Sequence, residues 1–403
     1  MLRPDTLALT ALLALLSALG PVSTDMYLSS LPDIGRKLAA APAEVQLTLS
    51  VFLVGFAIGQ IVYGPLSDRY GRKPVLMIAL LVYGAGCLAC AFAPSIETLL
   101  AARAAQAFGG SGGVVLARAI VRDLYAGARA GRELSLMGAI MALAPVVAPP
   151  VGGVLQTLFG WRASFLVALV VGLSAFVLVW RWLPETIRER APEPISLIGT
   201  LRTYRSMARN RAFLAHLGIV AVSYAGIFVW ISGSPFVLQD LYGLSAFAFG
   251  LAFASACVGF LAGSFLATRL VTRIGLDRTI GLGAVALATG GLAMLAAVAF
   301  HAASAVFLVL PTAIYLCGIG LAMPQAMAGA LTPFPNRAGA ASSLVGFVQQ
   351  TSAAVLGALV GHMLGTSAWP IAAPFALMGC ATLVLWVISR NVRRRDAAHP
   401  PPR

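Results

Sequence analysis

Charged residues are scarce in this chain of 403 amino acids. They make up 10% of the sequence, whereas hydrophobic residues make up 59%. In soluble domains about a quarter of the residues are charged. An ordinary soluble domain is therefore excluded. The composition, with a mean hydropathy of +0.89, indicates a protein embedded in a membrane.

The groups that most enzymes use are also few. The five cysteines lie inside apolar runs without histidine or carboxylate neighbours, and the four histidines are dispersed. We interpret the cysteines as small packing residues and expect neither a metal site nor a cofactor. No Gly-rich phosphate loop and no catalytic triad with supporting context is present. The sequence predicts no enzymatic activity and no use of ATP, so an ion gradient or the substrate itself must supply the energy.

Long apolar runs dominate the chain instead. A helix needs about 20 residues to cross roughly 30 Å of hydrocarbon. Twelve runs of that kind are present, and the first is kept as a span because no small-x-small cleavage site follows it. We number them spans 1 to 12. They lie near residues 7–29, 45–66, 74–93, 97–117, 134–157, 162–183, 211–238, 246–268, 279–299, 303–328, 339–364 and 370–389.

The 28 basic residues give a net charge of +14, and their positions matter more than their number. In a soluble protein this charge would suggest nucleic acid as a partner. Here the basic residues concentrate in alternate loops, which is typical of cytoplasmic loops in membrane proteins. Only four depart from the pattern: Arg36, Lys37 and Arg162 on the other side, and Arg103 inside span 4. The sequence predicts that both termini are cytoplasmic and that nucleic acid is not a partner.

A polar segment rich in Arg, Pro and Glu divides the chain into two halves. We predict an N-terminal six-helix bundle at 1–183, a cytoplasmic linker at 184–210, a C-terminal six-helix bundle at 211–390 and a basic cytoplasmic tail at 391–403. The loop after span 2 has a weaker copy after span 8, in which Gly275 corresponds to Gly71 and Asp68 has no acidic equivalent. Repeated bundles of this kind place a substrate site between them, near the membrane midplane.

The loop between spans 2 and 3 reads Gly-Pro-Leu-Ser-Asp-Arg-Tyr-Gly-Arg-Lys from residue 64 to residue 73. Basic residues are common in cytoplasmic loops, but that tendency does not explain the glycines and the acid at these spacings. The segment resembles the G-x-x-x-D-R-x-G-R-K signature of the major facilitator superfamily. The resemblance implies that the loop stabilises one of two alternating conformations. Its motif residues are Gly64, Asp68, Arg69, Gly71, Arg72 and Lys73.

Further segments resemble the bicyclomycin- and chloramphenicol-resistance (Bcr/CflA) branch of the drug:proton antiporters. They are residues 103–110 and 118–125 around span 4, residues 231–239 in span 7, and residues 20–27 in span 1. The resemblance covers nearly the whole chain. It implies an all-α membrane protein with the twelve-helix facilitator fold, monomeric in the lipid of a bacterial-type inner membrane. It also implies export of small drug-like molecules in exchange for protons, without a cofactor.

Span 5 contains three prolines among alanines and glycines. Each proline removes a helical hydrogen bond, and small residues let a neighbouring helix come close. The segment resembles the antiporter motif G-x-x-x-G-P-x-x-G-G of exporters, with alanine at two glycine positions. A proline bend that serves packing alone is the alternative. The residues are Ala144, Pro145, Ala148, Pro149, Gly152 and Gly153.

Hydrophobic and aromatic residues outnumber polar residues in the spans that would enclose a substrate. Such a pocket favours neutral or zwitterionic ligands over sugars, which need many fixed hydrogen bonds. Many aromatic residues in membrane helices only pack, so part of the candidate set is expected to contact substrate. The candidates are Tyr27, Gln106, Tyr224, Phe228, Trp230, Phe236, Gln325, Gln349 and Gln350.

One acid, Asp25, and one base, Arg103, lie well inside predicted spans. Counting residues from the span ends places both at a similar depth in the outer half of the membrane, so contact, direct or through water, is expected. Ionisable residues inside a membrane are costly and usually functional. We predict that Asp25 carries the proton and that movement of Arg103 relative to Asp25 switches its proton affinity. A static ion pair that joins spans 1 and 4 is the alternative.

The residues leave two other functions open. One is proton-coupled transport of a polar metabolite such as an amino acid, against which the few polar residues in the spans argue. The other is a membrane sensor that transports nothing, for which the sequence contains no signalling domain and no long soluble segment.

Overall fold

The computed structural model describes residues 7–125, 127–187, 197–334, 337–365 and 367–393. In this part of the chain, helices follow one another with short connections, and twelve helical segments are long and apolar enough to cross a membrane. The helices are α1 (Leu7–Asp25), α2 (Leu31–Lys37), α3 (Pro42–Tyr70), α4 (Arg72–Ala91), α5 (Ile96–Leu124), α6 (Gly127–Phe159), α7 (Arg162–Trp182), α8 (Leu197–Met207), α9 (Arg211–Phe236), α10 (Ala246–Ile274), α11 (Leu276–Ala299), α12 (Val306–Leu331), α13 (Ala338–Met363) and α14 (Trp369–Ile388).

The twelve predicted spans are confirmed. Helices α1 and α2 together form span 1, α3 to α7 form spans 2 to 6, and α9 to α14 form spans 7 to 12. Several helices continue beyond the apolar runs. Arg122 and Arg273, which we expected in loops, therefore lie in the last turns of α5 and α10. A cation there is favoured by the negative end of the helix dipole.

Span 1 differs from the prediction at its outer end. We expected one helix to continue to about Ser30, but α1 ends at Asp25. A 3-10 turn follows at Leu28–Ser30, and α2 begins at Leu31. Pro32 has no N–H to donate to Leu28, so a single α-helix through this segment would lose that hydrogen bond. Asp25 thus lies at a helix end rather than inside a helix.

The chain separates into two compact units. Unit 1 comprises residues 1–195 with 245–251, and unit 2 comprises residues 196–244 with 252–403. The predicted linker at 184–210 contains helix α8, which belongs to unit 2 and packs on α13. Residues 188–196 of this linker and residues 394–403 of the predicted tail lie outside the described residues.

Corresponding helices pack alike in the two units. In unit 1, α4 lies against α5, and in unit 2, α11 lies against α12. The backbones approach so closely that a Cβ at Gly109 would lie 2.3 Å from the backbone nitrogen of Tyr83. A Cβ at Gly318 would lie 2.7 Å from the carbonyl oxygen of Gly283. Lipid supplies no hydrophobic force between helices, so close contact at small residues is what holds such pairs together.

The loop repeat predicted from the sequence is also present. Helix α4 begins directly after Gly71, whose φ is +106°, and α11 begins directly after Gly275, whose φ is +83°. Glycine adopts this backbone conformation readily because it has no Cβ. The second and third spans of each unit are therefore joined by the same kind of sharp connection.

Candidate functional site

Asp25 lies at the C-terminal end of α1 in unit 1 and is only 7% exposed. Its Oδ1 accepts a hydrogen bond of 3.0 Å from the hydroxyl of Thr24. The C-terminus of a helix is its negative end, and a membrane offers little compensation for charge, so a carboxylate without a cation is costly here. The position suits a group that can lose its charge by binding a proton.

Arg103 is the eighth residue of α5 and is fully buried. Its Nη1 donates to the carbonyl oxygen of Ser23 at 3.0 Å and to Oε1 of Gln106 at 2.7 Å. In the described chain, Nε and Nη2 have no hydrogen-bond partner. Removal of a guanidinium from water is expensive, so other contacts must compensate the charge.

Three aromatic rings provide that compensation, and we call them the aromatic cage. The guanidinium carbon of Arg103 lies 4.7 Å from the ring centre of Tyr27, 4.3 Å from Phe52 and 5.8 Å from Phe165. A cation over an aromatic face is attracted by about 2 kcal/mol or more when both are removed from water. The cage lets a cation stay buried without a carboxylate beside it.

Arg103 and Asp25 form no ion pair in the described chain. Of the contact that we expected from their similar depth, direct or through water, the direct form is therefore not made. The physical reason is that the carbonyl of Ser23, Gln106 and the cage surround the guanidinium, while Asp25 bonds to Thr24. The static ion pair considered as the alternative is not formed either.

Gln106 and Tyr27, both predicted to bind substrate, are buried beside Arg103. The amide nitrogen of Gln106 donates to the sulfur of Cys87 at 3.1 Å, and the hydroxyl of Tyr27 lies 2.5 Å from that of Thr48. Both side chains are thus held by protein groups and in turn hold Arg103. Cys87 is more than a packing residue, because its sulfur accepts this hydrogen bond.

The antiporter segment lies against the residues that follow Asp25. A Cβ at Gly152 of α6 would lie 1.9 Å from the carbonyl oxygen of Met26. The hydroxyl of Ser29 donates to the carbonyl oxygen of Pro149 at 3.0 Å. The other motif residues, Ala144, Pro145, Ala148 and Gly153, lie on the same helix. Span 5 is therefore in backbone contact with the segment that carries the buried acid.

Arg72 joins three helices at the loop between spans 2 and 3. Its Nη1 donates to Asp68 at 2.5 Å, and its Nε donates to Asp123, at the end of α5, at 2.8 Å. Sequence reasoning missed Asp123, although an acid directly after Arg122 in a basic segment was the available signal. Arg69 is exposed, and a Cβ at Gly64 would meet no described atom within 4 Å. In unit 1 the packing thus explains only part of the motif.

The remaining substrate candidates lie in unit 2. Tyr224, Gln325 and Gln349 are partly exposed, whereas Phe228, Trp230, Phe236 and Gln350 are buried. Four buried polar atoms in this unit have no partner among the described residues, which is uncommon for buried polar groups and makes them candidate contacts for a polar ligand group. They are Nε1 of Trp230, Oγ of Ser234, the hydroxyl of Tyr315 and Oε1 of Gln350.

An apolar cavity of about 470 Å³ lies between α9, α13 and α14 of unit 2. Ala221 and Ala225 form part of its wall on α9, and Ser352 and Val355 form part of it on α13. None of the predicted substrate residues lines it.

The family model of the Major Facilitator Superfamily matches residues 13–355 and 235–403 of this chain. The chain belongs to the major facilitator superfamily. It is 35% identical over 359 residues to an uncharacterized MFS-type transporter, YdgK, of Bacillus subtilis, covering 89% of each chain. It is 31% identical over 400 residues to a bicyclomycin resistance protein homolog of Haemophilus influenzae, covering 95% of this chain and 96% of the relative. A chloramphenicol resistance protein of Pseudomonas aeruginosa is 29% identical, with coverage of 96% and 92%.

Solved transporter structures share the fold. A D-xylose-proton symporter superposes with a TM-score of 0.77 over 94% of this chain and 96% of that structure, at 18% identity. A bacterial homolog of the lysosomal transporter Spinster superposes with a TM-score of 0.68 over 97% and 96%, at 17% identity. The expected facilitator fold and the resemblance to resistance proteins are confirmed, and membership of this family agrees with a transporter that is not an enzyme.

Asp68→Asn should lower transport roughly tenfold while the protein stays folded. The substitution keeps the shape of the side chain and removes the charge, and Arg72 retains Asp123. Transport rate and the amount of monodisperse purified protein are the measurements. Glu97→Gln is the control, because Glu97 is an exposed acid in the first turn of α5. Parental transport in Asp68→Asn would leave the loop with a role in topology alone.

Gly152→Ala should lower transport because the new methyl group would collide with the backbone of Met26 and displace the segment around Asp25. Overpacking of this kind costs about 1–3 kcal/mol, so a drop in the melting temperature is also expected. Gly138→Ala on the same helix is the matched control, since a Cβ there meets no described atom within 4 Å. Equal transport by the two variants would mean that the contact of α6 with Met26 is dispensable.

Proposed function

We propose that this transporter exports small drug-like molecules from the cytoplasm in exchange for protons, by alternating access of its two units. The observation that carries the proposal is the buried carboxyl of Asp25, which accepts a hydrogen bond from Thr24 and forms no ion pair in the described chain. The names of the relatives support the class of substrate, since they include bicyclomycin and chloramphenicol resistance and multidrug resistance proteins.

Asp25 is the proton carrier in this proposal. A carboxyl group binds and releases a single proton, and at the end of α1 its charge is costly whenever no cation is near. Arg103 belongs to the same unit and is held to the carbonyl of Ser23, two residues before Asp25. Movement of this short segment relative to α5 would change the distance between the two groups and hence the affinity of Asp25 for its proton.

The aromatic cage gives Arg103 a stable place away from Asp25. A guanidinium keeps its charge at all working pH values, so it needs compensation in both halves of the transport cycle. The aromatic cage holds the guanidinium in one state of the cycle, and the carboxylate of Asp25 holds it in the other. The positive charge is thus compensated in both states. Substrate binding and proton release become coupled because Arg103 moves between the cage and Asp25.

The substrate is a neutral or zwitterionic molecule that has some hydrogen-bonding groups. The partly exposed Tyr224, Gln325 and Gln349 and the unpartnered atoms of Trp230 and Gln350 support this class. Chloramphenicol, a neutral compound with hydroxyl and amide groups, is a suitable probe. A single deep acid, Asp25, argues against a preference for cationic drugs.

The protein acts in the inner membrane of a bacterial-type cell, with both termini in the cytoplasm. The alternation of basic loops supports this orientation. We propose that the chain functions as a monomer with protons and the exported molecule as its partners, without a cofactor.

A polar metabolite such as an amino acid is the second candidate substrate. The four buried polar atoms without partners in unit 2 favour it, whereas the names of the relatives favour drugs. Expression in a host that lacks its own pumps separates the two. Drug efflux predicts higher resistance to chloramphenicol or bicyclomycin that disappears with a protonophore, and unchanged resistance to a broad panel would favour the metabolite.

Asp25→Asn should still bind the exported compound but lose export against a gradient, because the amide cannot carry a proton. Export driven by an imposed pH gradient in inside-out vesicles should fall to the background of empty vesicles, while equilibrium binding changes by less than about threefold. Glu97→Gln, at an exposed acid in the first turn of α5, is the control and should export normally. Uphill export by the Asn variant would show that another group carries the proton.

A further inference from the structure

The last helix of each unit is tied to the start of the helix that forms the third span of the same unit. We call that helix the third helix. In unit 1 these helices are α7 and α4, and in unit 2 they are α14 and α11. We call the two ties the exit latches, because each includes residues just beyond the last helix. Of the residues that form them, only Arg72 and Lys73 belong to the loop motif found in the sequence.

In unit 1 the latch consists of Glu185, Arg72, Lys73 and Trp180. The carboxylate of Glu185, three residues beyond α7, accepts the backbone N–H of Arg72 at 2.9 Å and that of Lys73 at 3.2 Å. The ammonium group of Lys73 donates to the carbonyl oxygen of Trp180 at 2.9 Å. These bonds satisfy backbone groups that the first turn of α4 and the last turn of α7 leave open.

In unit 2 the latch consists of Arg393, Asp277 and Trp386. Arg393 lies five residues beyond α14, and its charged side chain is only 2% exposed. It donates to the carboxylate of Asp277 at 2.8 Å and to the carbonyl oxygen of Trp386 at 2.8 Å. The indole N–H of Trp386 donates to the carbonyl oxygen of Asp277 at 3.0 Å.

The two latches occupy corresponding positions. Lys73 and Asp277 are each the second residue of the third helix, directly after the turn at Gly71 or Gly275. Trp180 and Trp386 are each the third residue from the end of the last helix. Both latches put an acid at the N-terminus of the third helix and a cation at the C-terminus of the last helix. That is the arrangement that the helix dipoles favour.

The acid and the cation of the latch come from opposite segments in the two units. In unit 1 the third helix supplies the cation and the exit supplies the acid, whereas in unit 2 the third helix supplies the acid and the exit supplies the cation. The same tie is thus built from opposite residues at equivalent positions. This exchange indicates that the connection itself matters, beyond the identity of any one side chain.

The latch of unit 1 also reaches the Arg72 site. The hydroxyl of Thr186, next to Glu185, donates to Asp123 at 3.1 Å, and Asp123 accepts from Arg72. A Cβ at Gly71 would lie 2.5 Å from the carboxylate of Glu185, so this close approach adds to the reason for glycine there. Loosening Glu185 would therefore disturb the geometry of Arg72 as well as the start of α4.

We propose that Glu185 and Arg393 are positioning residues for transport, acting through the start of the third helix in their unit. Each latch makes the loop between the second and third spans move as one body with the last helix. It also fixes the point at which the chain leaves the unit after its last span. The proposal requires a transporter, but neither an exported drug nor Asp25 as the proton carrier.

Glu185→Gln and Arg393→Gln test the two latches, with Glu44→Gln and Arg390→Gln as matched controls. Glu44 bonds only within the first turn of α3, to the N–H of Ala41, and Arg390 is exposed. Hydrogen exchange of the amides of residues 72, 73, 75 and 76 should become about tenfold faster in Glu185→Gln, and exchange at 276–280 should do so in Arg393→Gln. Parental exchange rates in both variants would show that Glu185 and Arg393 do not hold the start of the third helix. This result would overturn the proposal whatever the substrate is.

Transport then tests the positioning role, with the compound that the parental chain exports in the resistance panel. Each Gln variant should lower the maximal rate roughly fivefold or more, with the KM within about twofold of the parental value. The double variant Asp277→Lys with Arg393→Glu gives unit 2 the charge arrangement of unit 1 and should restore most of the rate lost in Arg393→Gln. Full rates in the Gln variants, or losses that only follow the amount of folded protein, would overturn the role. Failure of the panel itself would count against drug efflux and leave the exchange result standing.

Discussion

The cost of placing charge in a membrane organises this chain. Charged residues are 10% of the sequence, and most of them lie in loops or at helix ends, where water or a helix terminus compensates them. In the candidate site, Asp25 and Arg103 are the exceptions. One is held by a neighbouring hydroxyl, and the other by carbonyl, amide and aromatic groups. The arrangement keeps a cation and an acid in one unit without joining them.

A short segment from residue 23 to residue 29 brings the functional elements of unit 1 together. The carbonyl of Ser23 binds Arg103, and Asp25 ends helix α1. Met26 lies against Gly152, and Ser29 bonds to the backbone of the antiporter segment. A shift of α5 or α6 would therefore displace the residues on either side of Asp25. This gives the proline-rich span a direct mechanical connection to the proposed proton carrier.

Much of the fold could be predicted, because its signals are local. The twelve spans follow from the length of the apolar runs, and the repeated loop follows from Gly71 and Gly275. Side-chain contacts between distant segments could not be predicted. Glu185 binds a backbone group 113 residues away, and neither it nor the aromatic cage has a periodic signature. Similar depth of Asp25 and Arg103 was a sound inference about position, but depth does not determine the direction in which a guanidinium points.

We propose that the carboxyl of Asp25 releases its proton when the exported molecule binds. Substrate-induced proton release measures this directly: the exported compound is added to purified protein in a weakly buffered detergent solution with a pH indicator. We expect parental protein to release protons in a saturable manner. We expect Asp25→Asn to release none at concentrations where it still binds the compound. Equal proton release by the two proteins would contradict the assignment of Asp25 and would require another group for coupling.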